Sequence, residues 1–153
     1  MKLVICRVNY ARLKVENNDI ANINKGLFCL LGIGNGDTES DAELLAKKCA
    51  AMRIFSDENG KMNLSVKDIG GKILVEPNFT LYADISHGNR PSFFDAMDPS
   101  EANVLFEYFC KCLADNGAEV EKGIFGADMQ TELSMDGPVT VVATSDELRG
   151  GKK

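Results

Sequence analysis

One histidine, His87, stands in the polar segment Ser86-His87-Gly88-Asn89-Arg90, and no cysteine or carboxylate accompanies it at metal-ligand spacing. A zinc site needs convergent nitrogen, sulfur or oxygen donors, and a Ser-His-Asp triad needs a histidine between two partners, so both have little support. His87 reads as a solvated loop histidine. The five cysteines, Cys6, Cys29, Cys49, Cys110 and Cys112, are odd in number and lie inside apolar patterns, as small buried reduced thiols do. Cys110 and Cys112 are two apart on a predicted helix and face different ways, which makes a shared metal difficult. Gly32-Ile33-Gly34-Asn35-Gly36 lacks the third spaced glycine of a dinucleotide fingerprint, and no Gly-rich Lys-Ser/Thr phosphate loop occurs. No metal or cofactor is expected. An enzyme with this inventory must rely on backbone dipoles, hydroxyls and a group on its own substrate. Two segments could supply them: Pro77-Asn78-Phe79-Thr80-Leu81 and Asp136-Gly137-Pro138-Val139-Thr140. Each also has a plain reading, with Thr80 as a strand threonine and Gly137-Pro138 as a turn into a strand.

The elements that must position these segments are legible as patterns. Residues 2–9 and 11–16 alternate like two strands joined by a hairpin, with Val4, Cys6 and Val8 on one face. The continuous apolar run from Gly26 to Ile33 suits a central strand buried on both faces. Asp37 and Thr38 offer N-cap oxygens to a helix carrying Ala42, Leu45, Cys49 and Met52. Asp98-Pro99-Ser100-Glu101 opens a second helix with a cap, a first-turn proline and a capping-box glutamate. That helix buries Ala102, Leu105, Phe106, Phe109 and Leu113, and Asn116-Gly117 stops it. Asp57 to Gly60 is a turn, and strands are expected at 72–75, 79–82, 118–122, 130–135 and 139–143. The expected architecture is a single α+β domain over residues 1–145, with sheets covered by two main helices, and a flexible tail at 146–153.

The chain has 153 residues, 44% of them hydrophobic and 26% charged, and no apolar run long enough to span a membrane. The opening MKLVICRVNY alternates like a strand and lacks the long apolar stretch of a signal peptide, so the expectation is a cytoplasmic protein. A net charge of -6 opposes a broad nucleic-acid surface and argues against DNA as a partner, because phosphates need clustered cations. A small contact with the end of an RNA needs only a few of the 17 Lys and Arg residues at one place.

The segments taken together resemble the D-aminoacyl-tRNA deacylase family from residue 1 to about 144. The stretches that carry the resemblance are Val4 to Val8, Gly32 to Asp41, Arg53 to Ser65, Phe79 to Asp84, Arg90-Pro91-Ser92-Phe93, Phe125 to Gln130 and Asp136 to Thr140, in order and at matching spacing. The resemblance implies a barrel-like fold with strongly curved sheets, and a homodimer in which a Gly-cis-Pro turn, here Gly137-Pro138, reaches into the partner's pocket and excludes L side chains. It implies an ester hydrolase that clears D-amino acids from the tRNA 3' end and also accepts glycyl-tRNA. It places the ester beside Phe79 and Thr80, whose N–H groups would hold the oxyanion, with Asn78 among the catalytic residues in polar contact with the terminal adenosine or the ester, and Pro77 in substrate binding. Thr80 is a positioning residue in this reading, because no base stands beside it, and the terminal ribose 2'-hydroxyl assists the reaction. Phe93 and Met129 are candidates for apolar walls of the adenine pocket, with core packing as the alternative. Arg7 would brace the Gly-Pro turn, with a strand-end surface arginine as the alternative.

The sequence departs from the family's usual Ser-Gln-Phe-Thr-Leu at Pro77 and Asn78, and Met135 stands where asparagine commonly precedes Asp-Gly-Pro. Pro77 lacks a hydroxyl and an N–H, and Asn78 is one methylene shorter than glutamine. The alternative function is therefore a weakened homologue that binds the tRNA end, or an adenosine-like ligand, without efficient turnover.

Overall fold

The alternation at the start of the chain runs on without a turn in the computed structural model, which describes residues 1–150. Lys2–Val15 is one 14-residue strand, β1, in place of the expected two strands and hairpin. The break in the pattern near Asn9 is instead a register shift in its pairing. The hairpin comes later, at Glu16 and Asn17, whose φ angles of 49° and 64° give the two-residue turn that matches the twist of paired strands. It leads into β2, Asn18–Ile23, antiparallel to β1.

The apolar run forms β3, Gly26–Gly32, buried except at Leu30. It lies between β1, to which it is antiparallel, and the parallel strand β6, Lys72–Pro77, and so is central as expected. The intervening pair β4, Phe55–Ser56, and β5, Met62–Leu64, closes on the Asp57–Gly60 turn. Parallel to β6 runs β7, Glu119–Lys122. The other edge of β1 takes β8, Gln130–Thr144, a single 15-residue strand where two were expected. Because β2 and β3 share one edge of β1, the sheet curls until β2 approaches β6 and β7, and it becomes nearly closed and barrel-like.

Helices α1, Glu39–Ala51, and α2, Pro99–Asp115, cover one face. At α1 the Asp41 carboxylate accepts the Thr38 N–H at 2.8 Å. At α2 Asp98 accepts the Ser100 N–H at 3.0 Å, while the expected Glu101 return bond is not formed. Gly117, with φ 85°, ends α2. The main core, including Leu3, Ile5, Leu45, Phe106 and Phe109, lies between sheet and helices. A second cluster of Val8, Leu13, Phe28 and Leu74 fills the inside of the curl. All five cysteines are free and buried, and desolvation pushes the Cys110 thiol up to about 12. Beyond β8 the chain makes a short helix α3, Ser145–Leu148, and Arg149 pairs with buried Asp41. The expected tail thus begins as folded structure, and its last part, 151–153, lies outside the described residues. No helix among the described residues is long and apolar enough to cross a membrane.

Candidate active site

Two irregularities, one in β8 and one after β6, carry the candidate residues. The first is a bulge in β8. Between the pairs Cys6–Thr140 and Val8–Met135, the four residues Asp136 to Val139 stand opposite Arg7 alone. A strand that carries extra residues must bow outward. Gly137 there has φ 127°, and its bond to Pro138 is cis. Arg7 sits under the bulge, only 9% exposed. Its Nε donates to the Asp136 carbonyl at 3.2 Å and lies 3.1 Å from the Asp136 carboxylate. Its Nη1 donates to the Ile54 carbonyl at 2.6 Å. The planar guanidinium can serve these acceptors on two segments at once, so Arg7 is a buried brace and not a surface arginine.

The second irregularity follows β6. The parallel ladder reaches Leu31–Pro77, and although Pro77 has no N–H, the Asn78 N–H donates to the Leu31 carbonyl at 2.8 Å and ends it. Residues Phe79–Tyr82 then form a 3-10 turn, not the strand expected at 79–82. Asn78 explains this: its Oδ1 accepts the Thr80 N–H at 3.1 Å and also the Thr80 hydroxyl, a local capping bond that competes with strand pairing. The expected oxyanion donor at Thr80 is therefore engaged by Asn78, while the Phe79 N–H has no hydrogen-bond partner among the described residues.

The turn is held from below by groups that sequence reasoning missed. Lys2 Nζ donates to the Leu81 carbonyl at 3.0 Å and lies 4.4 Å from the Tyr82 ring centre. The Tyr82 hydroxyl donates to Asp37 Oδ2 at 3.2 Å, and Asp37 also accepts the Gly34 N–H and the Met1 amine. Burial, and then the Asp37 charge, push the Tyr82 phenol well above its ordinary value. Gly32 and Gly34 let this layer close: a Cβ on Gly34 would lie 2.3 Å from the Tyr82 ring, and one on Gly32 would lie 2.9 Å from Leu81 Cβ. Gly34→Ala should therefore displace Tyr82 and destabilise the fold by about 1–3 kcal/mol, measured as a shift in urea unfolding against wild type.

Between the turn and the start of α2 lies an apolar cavity of about 360 Å³, within the size range of small-molecule sites. Pro77, Asn78, Phe79 and Phe93 line it, joined by Leu31, Ile33, Met97, Ala102 and Phe125. Phe79 and Phe93 meet edge to face with ring centres 5.1 Å apart. The structure thus brings four of the expected residues into one wall, with Thr80 next in the chain. It does not bring in Met129, which packs on the cluster inside the curl; a Cβ on Gly123 would lie 2.8 Å from the Met129 sulfur and 3.3 Å from Pro77. Gly137, Pro138 and Arg7 are likewise absent from the walls of this chain's cavity. Ala102 and Phe125 were hard to foresee, since a helical stripe and a loop aromatic look the same whether they face core or cavity. Among the described residues no cluster of three or more His, Cys, Asp or Glu could hold a metal.

Comparison with known proteins fits this arrangement. A family model described as D-Tyr-tRNA(Tyr) deacylase matches residues 4–144. The D-aminoacyl-tRNA deacylase of Thermotoga petrophila is 47% identical over 148 residues, 97% of this chain and 99% of that protein. The protein of the same name from Lactobacillus helveticus is 50% identical over 142 residues, 93% of this chain and 98% of the other. The solved structure of a c-Myc DNA unwinding element binding protein superposes with a TM-score of 0.88 at 36% identity, covering 94% of this chain and 97% of the other. A probable eukaryotic D-amino acid tRNA deacylase shares the fold at a TM-score of 0.77 and 14% identity. With its bulge, its turn and its cavity in place, this chain belongs to the D-Tyr-tRNA(Tyr) deacylase family.

Proposed function

We propose that this protein hydrolyses the ester of D-aminoacyl-tRNA, releasing tRNA and the free D-amino acid, and that it also accepts glycyl-tRNA. The observation that carries the reading is the apolar cavity walled by Pro77, Asn78, Phe79 and Phe93, with a Phe79 N–H at the turn beside it that has no partner among the described residues. The terminal adenine enters the cavity and the ester carbonyl lies against the turn. Water adds to that carbonyl and the developing oxyanion takes the Phe79 N–H. The bond to the ribose oxygen breaks, and that oxygen leaves with a proton. No side-chain base stands at the turn, so the neighbouring ribose hydroxyl relays the proton. Thr80 positions the ester, and its N–H becomes a second donor once the carbonyl oxygen displaces Asn78 Oδ1.

Chirality is read by Gly137 and Pro138, which lie exposed on the bulge and outside their own chain's cavity. They act from a second copy, so the protein works as a homodimer. Val142, 67% exposed, and Met135, 38% exposed, on the same strand supply apolar surface for that contact. Main-chain groups held there leave no room for an L side chain, and glycine, having none, passes. The partner is an RNA end and not DNA, in keeping with the net charge of -6. Five free buried thiols suit a cytoplasmic location.

The test is deacylation of D-Tyr-tRNA against L-Tyr-tRNA. Loss of the D ester at least about 100-fold faster than the L ester is expected; equal, background loss of both would overturn the reading. Pro77→Ser with Asn78→Gln should then raise the D rate, since glutamine does not make the short capping bond that holds Thr80 closed. A binding-only homologue is favoured by that bond, and it would show a D-aminoacyl-adenosine analogue bound without turnover.

A further inference from the structure

Phe94 follows the cavity-lining Phe93 but turns outward, with 90% of its surface exposed. Its backbone is fixed: Asn35 Nδ2 donates to the Phe94 carbonyl at 2.8 Å and the Asn35 N–H donates to the Asp95 carbonyl at 2.9 Å. The ring is therefore presented to solvent from an anchored position. The preceding loop is closed at its base by paired bonds of 2.8 and 2.9 Å between the backbones of Asp84 and Ser92. The Asp84 carboxylate there accepts the Ser86 N–H at 2.8 Å. Arg90, exposed on the same loop, forms no ion pair with any described carboxylate.

An anchored, exposed aromatic four positions along the chain from a guanidinium without an ion pair among the described residues offers the two groups that bind single-stranded nucleic acid, in which a base stacks on the ring and a phosphate meets the cation. In a chain of net charge -6, a polyanion needs such a local cation to approach. We propose that Phe94 stacks on the base preceding the terminal adenosine and that Arg90 meets a phosphate of that strand, making the rim of the cavity a second contact for the RNA end. The proposal rests on the tRNA-end reading of the cavity. It extends recognition from one nucleoside to the strand that leads into it.

The experiment compares kcat/KM for D-Tyr-tRNA and for 3'-(D-tyrosyl)adenosine in wild type, Phe94→Ala and Arg90→Gln. Phe94→Ala is expected to lower the tRNA value about 5-fold or more and to leave the adenosine ester within about twofold. Arg90→Gln should weaken use of tRNA and make its salt dependence shallower by about one in log-log slope. An equal loss on both substrates, or no loss on either, overturns the proposal. So does a changed oligomeric mass of Phe94→Ala in sedimentation, which would assign the ring to a subunit contact. If wild type turns over neither ester, the hydrolase reading fails by itself. Binding of a labelled RNA ending in CCA, set against adenosine, then decides: weakening of the RNA alone by Phe94→Ala supports the contact, and unchanged RNA binding overturns it.

Discussion

Gly137→Ala is expected to lower kcat/KM for D-Tyr-tRNA by about 100-fold or more, the scale at which a displacement of roughly 1 Å costs an active site. A φ of 127° lies in a region that L side chains rarely occupy, at a cost of about 1–3 kcal/mol. The new Cβ would also stand 2.9 Å from the Val139 nitrogen and Cγ2 and 3.2 Å from an Arg7 terminal nitrogen. The bulge cannot keep its shape and accept that atom, so the main-chain groups proposed to face the substrate move. Because Gly137 is outside its own cavity, the defect should appear mainly as lost turnover and lost D-over-L preference. Affinity for free adenosine should change little. Single-turnover deacylation with both chiral esters checks this, and retention of the D rate within about threefold would separate the turn from the site.

Arg7→Ala should be the most destabilising of the charged-residue changes. It removes a buried guanidinium that satisfies the carbonyls of Ile54 and Asp136 and pairs with the Asp136 carboxylate. Losing this set costs about 1–3 kcal/mol, largely because the Ile54 carbonyl is left buried without its donor, while the Asp136 carboxylate, 32% exposed, can turn to water. Arg7→Lys should recover only part of this, since one ammonium lacks the fork needed to reach both segments. Urea unfolding reads the stability. Deacylation rates below the midpoint should show a slower D rate in both variants, because the bulge would lose its support.

How far the residues announced this structure depends on whether the signal was local. The helix starts at Thr38 and Asp98 were legible because caps are short-range chemistry, and β3 was legible because a strand buried on both faces is apolar throughout. The 3-10 turn at Phe79–Tyr82 was misread as a strand: its apolar residues alternate plausibly, and the deciding bond is a single Asn78 side chain reaching two residues ahead. β1 and β8 were each divided in two because a bulge interrupts alternation in the same way as a turn does. At the site, family motifs pointed to Pro77 to Thr80 and Gly137-Pro138, and Pro77, Asn78 and Phe79 line the cavity while Gly137 and Pro138 do not. The supporting layer of Lys2, Asp37 and Tyr82 was invisible because its members lie 35 to 80 positions apart in sequence and meet only in the folded chain. Met129 packs on the cluster inside the curl, the core alternative left open by the sequence, since a methionine near a motif packs as readily there as in a pocket.

The bowed strand β8 has a consequence for how the protein behaves in a crowded solution. Among the described residues it pairs only with β1, so a 15-residue edge with its own row of unmatched amides faces outward. A straight edge of that length would accept strand after strand and seed open-ended aggregates. The bulge at Asp136 to Val139 interrupts the row near its middle, so an incoming straight strand cannot stay in register along it. A second copy carrying the same bend can still match it once, through a twofold arrangement that closes on itself. The distortion proposed to aim Gly137 and Pro138 at a substrate would thus also work against open-ended assembly.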